Sequence, residues 1–357
     1  MIRPASVRSI TISDVAQLAG VSIKTVSRVL NREIGVVPET QALVRDAVAK
    51  LKYTPNPSAR NLASVVSNTI GLAYSHISVD EDDRGGHQYA LILQIGALEA
   101  CRQHEFGLLP MPCDTRDENM VDALVARVRE RRLGGLVIAA PLSNAPGLLD
   151  ALREHGIPHV CINPNDLSQS TPYVAIDEHA ATFEMTTHLI GKGHTRIGFI
   201  RGIRGSRVSE ERYQGYSAAM TGQGLAIDPA WVQQGEFTFL SGRQCGERLL
   251  AQSPRVTAIF ASNDDMAVGV MHAANARGIR IPDDISIAGF DDTELARFSW
   301  PPLTTIRQPL EQMAQTAVEQ LIALVRPQRM GLKAHDPHVL FPCKLIVRAS
   351  VADLRLA

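Results

Sequence analysis

Several polar side chains stand where apolar runs stop. Asn163 follows HVCI, Asn263 follows AIFAS, Asp291 follows SIAGF, and Arg212 opens a segment after the loop of residues 202–210. Carboxylates, amides and a guanidinium converging at such ends pair with the hydroxyls of a small polar ligand, and an aromatic ring such as Phe237, in the polar run GEFTF, covers its C–H face. The same Asn and Asp residues also suit the plainer task of capping turns. A second set lies near the N-terminus, where Ser22 precedes Ile23, Lys24, Thr25, Ser27 and Arg28. On the leading turn of a helix, Lys24 reaches guanine O6 or N7 and Ile23 a thymine methyl. Ser27, Arg28 and the backbone at the helix start suit phosphates, which fix position without reading sequence.

The elements that present this second set are short helices. Ile12, Val15 and Ala16 form an apolar face, residues 19–21 (AGV) make a tight turn, and Val26, Val29 and Leu30 resume the helical spacing. Thr11 with Asp14 three residues on reads as a capping box, and Ser22 as the cap of the second helix. The pattern is helix, turn, helix, whose second helix enters a major groove. Pro38 fits the first turn of a third helix, with Leu43, Val44, Ala47, Val48 and Leu51 as its packing face. YTPNP at residues 53–57 breaks it, and residues 58–63 form another turn or two.

From about residue 68 strands and helices alternate, which means parallel sheets covered on both faces. Strands are expected at 69–74, 106–111, 135–140 and 159–163, with helices between. The rhythm restarts at 173–176 and continues to 286–290, giving two α/β lobes across a cleft whose ligand lies beyond the strands' carboxyl ends. Crossings are expected near residues 171–172, 304–305 and 336–340. The expected division is a tail at 1–10, a DNA-binding head at 11–55, a hinge and linker at 56–66 and a body at 67–357. Within the body the first lobe takes about 67–171 and 305–336, the second 172–304 and 337–357.

The strings DVAQLAGVS, TVSRVLN and KYTPNPSARNLA, in this order and spacing, closely resemble the LacI/GalR family of bacterial transcriptional repressors, over nearly the whole chain. The strings GHTRIGFIRG, ERYQGY, FASNDDMAVG and GFDDTE are similar to its periplasmic-binding-protein-like effector domain. The resemblance implies an all-α helix-turn-helix head before an α/β body of two such lobes with parallel sheets. It implies that Ile23 and Lys24 read bases, and that Asn56, Ala59, Arg60 and Leu62 belong to a hinge helix in the minor groove, with Leu62 as an apolar wedge at the operator centre. Thr11, Asn31 and Tyr53 complete the expected DNA contacts. It puts Arg212, Asn263 and Asp291 on effector-contacting positions, Phe237 on an aromatic stacking position, and Asn163 where a hydrogen-bonding Asp or Asn is common. The implied partners are a near-palindromic double-stranded operator, a small effector and a second copy of the chain. A carbohydrate leads as effector, with a purine or nucleoside corepressor behind it, and an activator of the same architecture remains open. Two departures stand out. Val37 replaces the Ser or Thr common before the third helix, and residues 76–87 insert an acidic stretch where relatives have a compact loop.

Composition agrees with two or three domains. The chain has 357 residues, 45% of them apolar, and a formal charge of −1. Residues 1–62 nevertheless hold nine Lys/Arg against four Asp/Glu, a basic head on an acidic body. Cys101, Cys113, Cys161, Cys245 and Cys343 are scattered, without zinc spacing, and read as reduced thiols. The acids at 80–83 lack the spacing of a calcium loop and read as a solvated loop, so no metal and no cofactor are expected. No apolar run approaches a membrane span and no export signal is evident, so a cytoplasmic protein is expected. An exported sugar-binding protein would have no use for residues 11–62. An enzyme would need a nucleophile or acid pair backed by a base, and adjacent Asp291 and Asp292 do not supply one. The eight residues after Ala349 are too short for a tetramerising heptad, which favours a dimer.

Overall fold

The computed structural model describes residues 10–30, 35–53, 67–75, 87–326 and 336–355. They fall into two compact units, Met1–Ser67 and Asn68–Ala357. The expected hinge residues and nearly all of the acidic insertion lie outside the described residues.

In the first unit α1 (Ile12–Ala19), α2 (Ile23–Leu30) and α3 (Pro38–Leu51) enclose a small core of Val15, Ala16, Val26, Val29, Val44 and Ala47. Thr11 donates from its N–H (2.8 Å) and its hydroxyl (2.7 Å) to the Asp14 carboxylate, the local reason α1 begins there. It ends at Gly20, whose φ of +64° is a left-handed turn that glycine adopts without strain. Val37 offers α3 no side-chain cap, and Pro38 starts that helix instead.

The second unit holds two six-stranded sheets. The first is built from β1 (Thr69–Ser75), β2 (Gly107–Cys113), β3 (Gly135–Ala139), β4 (His159–Ile162), β5 (Tyr173–Ile176) and β11 (His338–Phe341). Its order is β11-β5-β4-β3-β1-β2, with every pair parallel. The second contains β6 (Ile197–Arg201), β7 (Val232–Gln234), β8 (Ala258–Ala261), β9 (Ser286–Asp291), β10 (Thr304–Arg307) and β12 (Lys344–Ile346). Its order is β12-β10-β9-β8-β6-β7, with only β12 antiparallel. In each sheet an early strand, β1 or β6, lies between its two successors, which opens a crevice beyond the carboxyl ends.

The crossings differ from the expectation. Residues 173–176 do not begin the second lobe: β5 pairs with β4 (Cys161 opposite Tyr173) and extends the first sheet. Likewise Thr304–Arg307 stays beside β9, and His338–Phe341 returns to β5 rather than joining the second sheet. The chain therefore changes lobe after residues 176, 307 and 341, several residues later than composition suggests. The reason is physical: a short buried apolar run is equally content in either sheet, and only its neighbours' hydrogen-bond register assigns it.

Helices cover the sheets. On the first lobe α4 (His87–Gln103) packs against α12 (Leu310–Val325), while α5 (Met120–Glu130) and α6 (Leu148–Glu154) cover the other face. On the second, α7 (Glu178–Gly191) packs on α8 (Arg207–Gly222), and α9 (Phe239–Leu250) on α10 (Asp264–Asn275), with short α11 (Glu294–Phe298) after β9. The α9 segment, FLSGRQCGERLL, carries no helix signal strong enough to be read from the sequence, because Gly242 and Gly246 lower its propensity. The structure explains them. A methyl at Gly242 would overlap the Met266 backbone and one at Gly246 would press on Val270, so the glycines let α9 and α10 lie backbone against backbone. Gly242→Ala is therefore expected to destabilise the body by about 1–3 kcal/mol through overpacking, although alanine is the better helix former. Urea unfolding would show this, and an unchanged midpoint would contradict the packing argument.

Candidate functional site

In the head, Val26 and Val29 anchor α2 in the core and turn its leading residues outward. Ile23 is 50% exposed and Lys24 exposed, a large apolar side chain and a cation side by side on an open surface. Ser22 is engaged as the cap: its hydroxyl accepts from the Thr25 N–H (3.1 Å) and pairs with the Thr25 hydroxyl (2.9 Å). Ser27 and Arg28 follow, half-buried, and Tyr53 is packed against the head's core beyond α3. Asn31, Asn56, Ala59, Arg60 and Leu62 lie outside the described residues.

In the body Asn163, Asn263 and Asp291 stand at or just past strand ends and Phe237 in the loop after β7, whereas Arg212 does not open its helix: α8 starts at Arg207, and Arg212 is on its second turn. Arg212, on α8, is the hub. Its Nε donates to Glu178 Oε2 (2.7 Å), and its Nη1 donates to the Ser262 carbonyl and lies 3.9 Å from Asp291 Oδ1. Its guanidinium sits 3.6 Å from the Phe290 ring centroid and 5.8 Å from that of Phe237. Burial alone would lower the Arg212 pKa, but Glu178 and Asp291 outweigh it and hold the group cationic. Asp291 also accepts from Gln308 Nε2 (2.6 Å). Burial drives its pKa well above the carboxylate range against the pull of Arg212, with Asp264 adding to the rise.

The other residues surround this hub. The outer tip of the Phe237 ring packs against Gly202, where any side chain would overlap it. Asn263 caps α10 by accepting from the Met266 N–H (3.0 Å), and its amide donates to the Phe237 carbonyl (3.0 Å). Much of its hydrogen-bonding capacity is therefore spent on holding the aromatic in place. Asn163, from the first lobe, accepts from the Ile176 N–H (3.3 Å). Tyr89, at the start of α4, lies close to the same charges: burial raises its pKa, and Asp291 and Glu178 raise it further.

Residues 11–56 match the model of bacterial regulatory proteins of the lacI family, and residues 186–351 that of a periplasmic binding protein-like domain. The probable HTH-type transcriptional repressor ExuR of Bacillus subtilis is 32% identical over 97% of this chain and 99% of its own length. The HTH-type transcriptional repressor PurR of Haemophilus influenzae strain PittEE is 33% identical over 96% and 99%. Among solved structures, the lac repressor dimer bound to operator and the anti-inducer ONPF matches with a TM-score of 0.74 at 27% identity, over 97% of this chain and all of that one. The CelR–cellobiose complex matches with 0.72 at 28%, over 96% and 99%.

The chain belongs to the LacI family of bacterial transcriptional regulators.

Several site features of this LacI-family regulator escape sequence reasoning. Asn163 (φ +51°), Phe237 (φ +60°) and Asp291 (φ +116°) are non-glycine residues in left-handed backbone, a strain that persists where surrounding structure enforces it. Glu178 and Gln308 are buried polar partners of Arg212 and Asp291 whose pairings, 34 and 17 residues apart in the chain, have no local signal. Asp292, beside Asp291, faces away: Arg307 Nε and Arg348 Nη2 each approach it at 2.5 Å. No helix among the described residues is long and apolar enough to cross a membrane, and none of them cluster as a metal site.

Beneath the site Asp264 is fully buried, accepting from the Thr293 N–H (2.8 Å) and hydroxyl (3.1 Å) and from the Thr305 hydroxyl (2.7 Å). Burial pushes its pKa from 3.8 up to about 7. Between those values the folded chain keeps a proton that the unfolded chain has released, so this group's contribution to stability is lost as pH rises through the window. The Asp264→Asn variant should therefore gain stability relative to the native chain from about pH 4 to about pH 7 and no further above it, with the shift of Asp291 reduced alongside. Urea titrations across pH would show it; a difference independent of pH would mean Asp264 ionises normally.

Proposed function

We propose that the chain is a repressor that reads a near-palindromic operator as a homodimer and is controlled by a small carbohydrate bound between the lobes of its body. The observation that carries the effector reading is the Arg212 cluster at the strand ends. A buried guanidinium, two carboxylates, two amides and the Phe237 ring supply the donors, acceptors and flat apolar face that a sugar's hydroxyls and C–H groups require. Glu178 Oε1 and Gln308 Oε1 are buried acceptors without a hydrogen-bond partner among the described residues, and ligand hydroxyls are the natural donors to such atoms. The solved CelR relative is a cellobiose complex, which agrees with this class of ligand.

Ile23 and Lys24 are the base-reading pair, with Thr11, Ser22, Thr25, Ser27, Arg28, Asn31 and Tyr53 contributing around them. Asn56, Ala59, Arg60 and Leu62 belong to the hinge in this reading. Exposed apolar residues support a dimer. Leu91, Ile95 and Leu98 line one exposed face of α4, an apolar strip suited to a second copy of the chain, and on the second lobe Phe298 and Trp300 are 80% and 85% exposed. Closure of the cleft on the effector then shifts a balance between operator-competent and operator-released states, by as much as the effector's affinities for the two differ.

The test is fluorescence anisotropy on an operator selected from random DNA, at fixed salt, with a panel of sugars and nucleosides. Ile23→Ala with Lys24→Ala is expected to weaken specific binding by about tenfold or more while non-specific binding is nearly unchanged. Phe237→Ala, which removes the aromatic face and leaves the buried charges paired, should keep operator affinity and weaken the response to the effector. Absence of sequence-specific binding would reject the head's assignment, and an intact response in Phe237→Ala would reject the cleft's.

A further inference from the structure

A cavity of about 510 Å³ opens near the Arg212 cluster and is lined by residues the proposed sugar site does not use. Its walls are Arg201 at the end of β6, the loop carrying Arg204 and Ser206, Arg207 and Ser209 on the first turn of α8, and Gln234 at the end of β7. Ser209 stands three residues before Arg212 on the same helix, so the cavity and the cluster are about one helical turn apart on one face.

The cavity is unusually basic. Three arginines line it against one acid, Glu210, which pairs with Arg201; Glu211, outside the lining, pairs with Arg207. Arg204 has no ion-pair partner among the described residues and is exposed. Arg201 Nε and Arg207 Nη2 are buried without a hydrogen-bond partner among the described residues. Arg207 is only 11% exposed and is fixed: its Nε donates to the Pro164 carbonyl (2.7 Å) and its backbone N–H to Asn165 Oδ1 (2.8 Å), both on the first lobe. The α8 N-terminus, with no side-chain cap at Ser206, adds its positive end to the same space.

Three guanidinium groups around one opening, that of Arg204 without an ion-pair partner among the described residues, suit one kind of group. We propose that this cavity is an anion subsite, and that the effector is an acidic sugar whose carboxylate or phosphate is bound by Arg201, Arg204 and Arg207 while its hydroxyls reach the Arg212 cluster. The inference rests on the carbohydrate reading above and narrows it. Planar guanidinium forks match carboxylate and phosphate oxygens, and charge-assisted bonds of this kind are stronger than neutral ones. Because Pro164 and Asn165 hold Arg207 across the cleft, the subsite is complete only when the two lobes stand as they do here.

The experiment is calorimetric titration of the full chain, at neutral pH and fixed salt, with matched neutral, carboxylate and phosphate forms of common hexoses, pentoses and disaccharides. At least one acidic form should bind about tenfold or more tighter than its neutral counterpart. Arg204→Gln, on an exposed loop where folding is not at stake, should shrink that ratio about tenfold. Preference for the carboxylate or the phosphate member identifies the anion. If neutral sugars bind and their acidic forms bind no better, the anion subsite is wrong and the carbohydrate site stands. A preference unmoved by Arg204→Gln and Arg207→Gln would place the anion elsewhere and overturn this assignment. If no member binds, the carbohydrate reading falls and this inference with it.

Discussion

A guanidinium buried in the second lobe governs the arrangement of the body's site. An unpaired charge in such a place is prohibitively costly, so Arg212 requires acceptors from several directions at once. They come from α7 through Glu178, from the end of β8 through the Ser262 carbonyl, and from the end of β9 through Asp291. Each of these depends on the parallel sheet for its place. The two carboxylates in turn are tolerated because Arg212 is there, although burial still raises the pKa of both. The cluster is thus a balanced set with some acceptors left over, which is the condition under which a polar ligand adds interactions without displacing any.

Backbone geometry serves the same end. Asn163, Phe237 and Asp291 are all held in left-handed conformations, and each projects from a strand end or the loop beyond it. The conformations are enforced by neighbours: Asn163 by its bond from the Ile176 N–H, Phe237 by its fit against Gly202 and the bond its carbonyl accepts from Asn263, Asp291 by Gln308 and Arg212. Behind them, glycine-mediated close packing of α9 on α10 fixes where Asn263 and Asp264 can sit. Asp264 ties this layer to Thr293 and Thr305, so β8, β9 and β10 are linked through one buried carboxylate. Rigid support of this kind is what lets a difference in ligand become a difference in lobe arrangement.

The head works by a different economy. Its core is small, and α2 is amphipathic to the point that Val26 and Val29 are buried while Ile23 and Lys24 face solvent. An exposed isoleucine on the leading turn adds nothing to the head's own core. The surplus of basic residues in the first 62 positions supplies attraction to phosphate over any sequence, leaving discrimination to a few side chains.

What the sequence determined by itself was everything that local spacing can encode. The three head helices, the capping pair of Thr11 and Asp14, the turn at Gly20 and most body helices follow from periodicity and caps, because those signals act within a few residues. Placement of Asn163, Asn263 and Asp291 at strand ends was legible too, since polar residues after apolar runs mark where a parallel sheet opens. Tertiary structure alone decided the rest. It assigned the strands at 173–176, 304–307 and 338–341 to their sheets, because hydrogen-bond register with a distant neighbour, and not composition, selects the sheet. It made a helix of residues 239–250 in spite of two glycines, because burial of backbone against backbone outweighs propensity. And it brought Glu178, Tyr89 and Gln308 to the Arg212 cluster and three arginines to one cavity, since the balance of buried charge is settled between residues far apart in the chain.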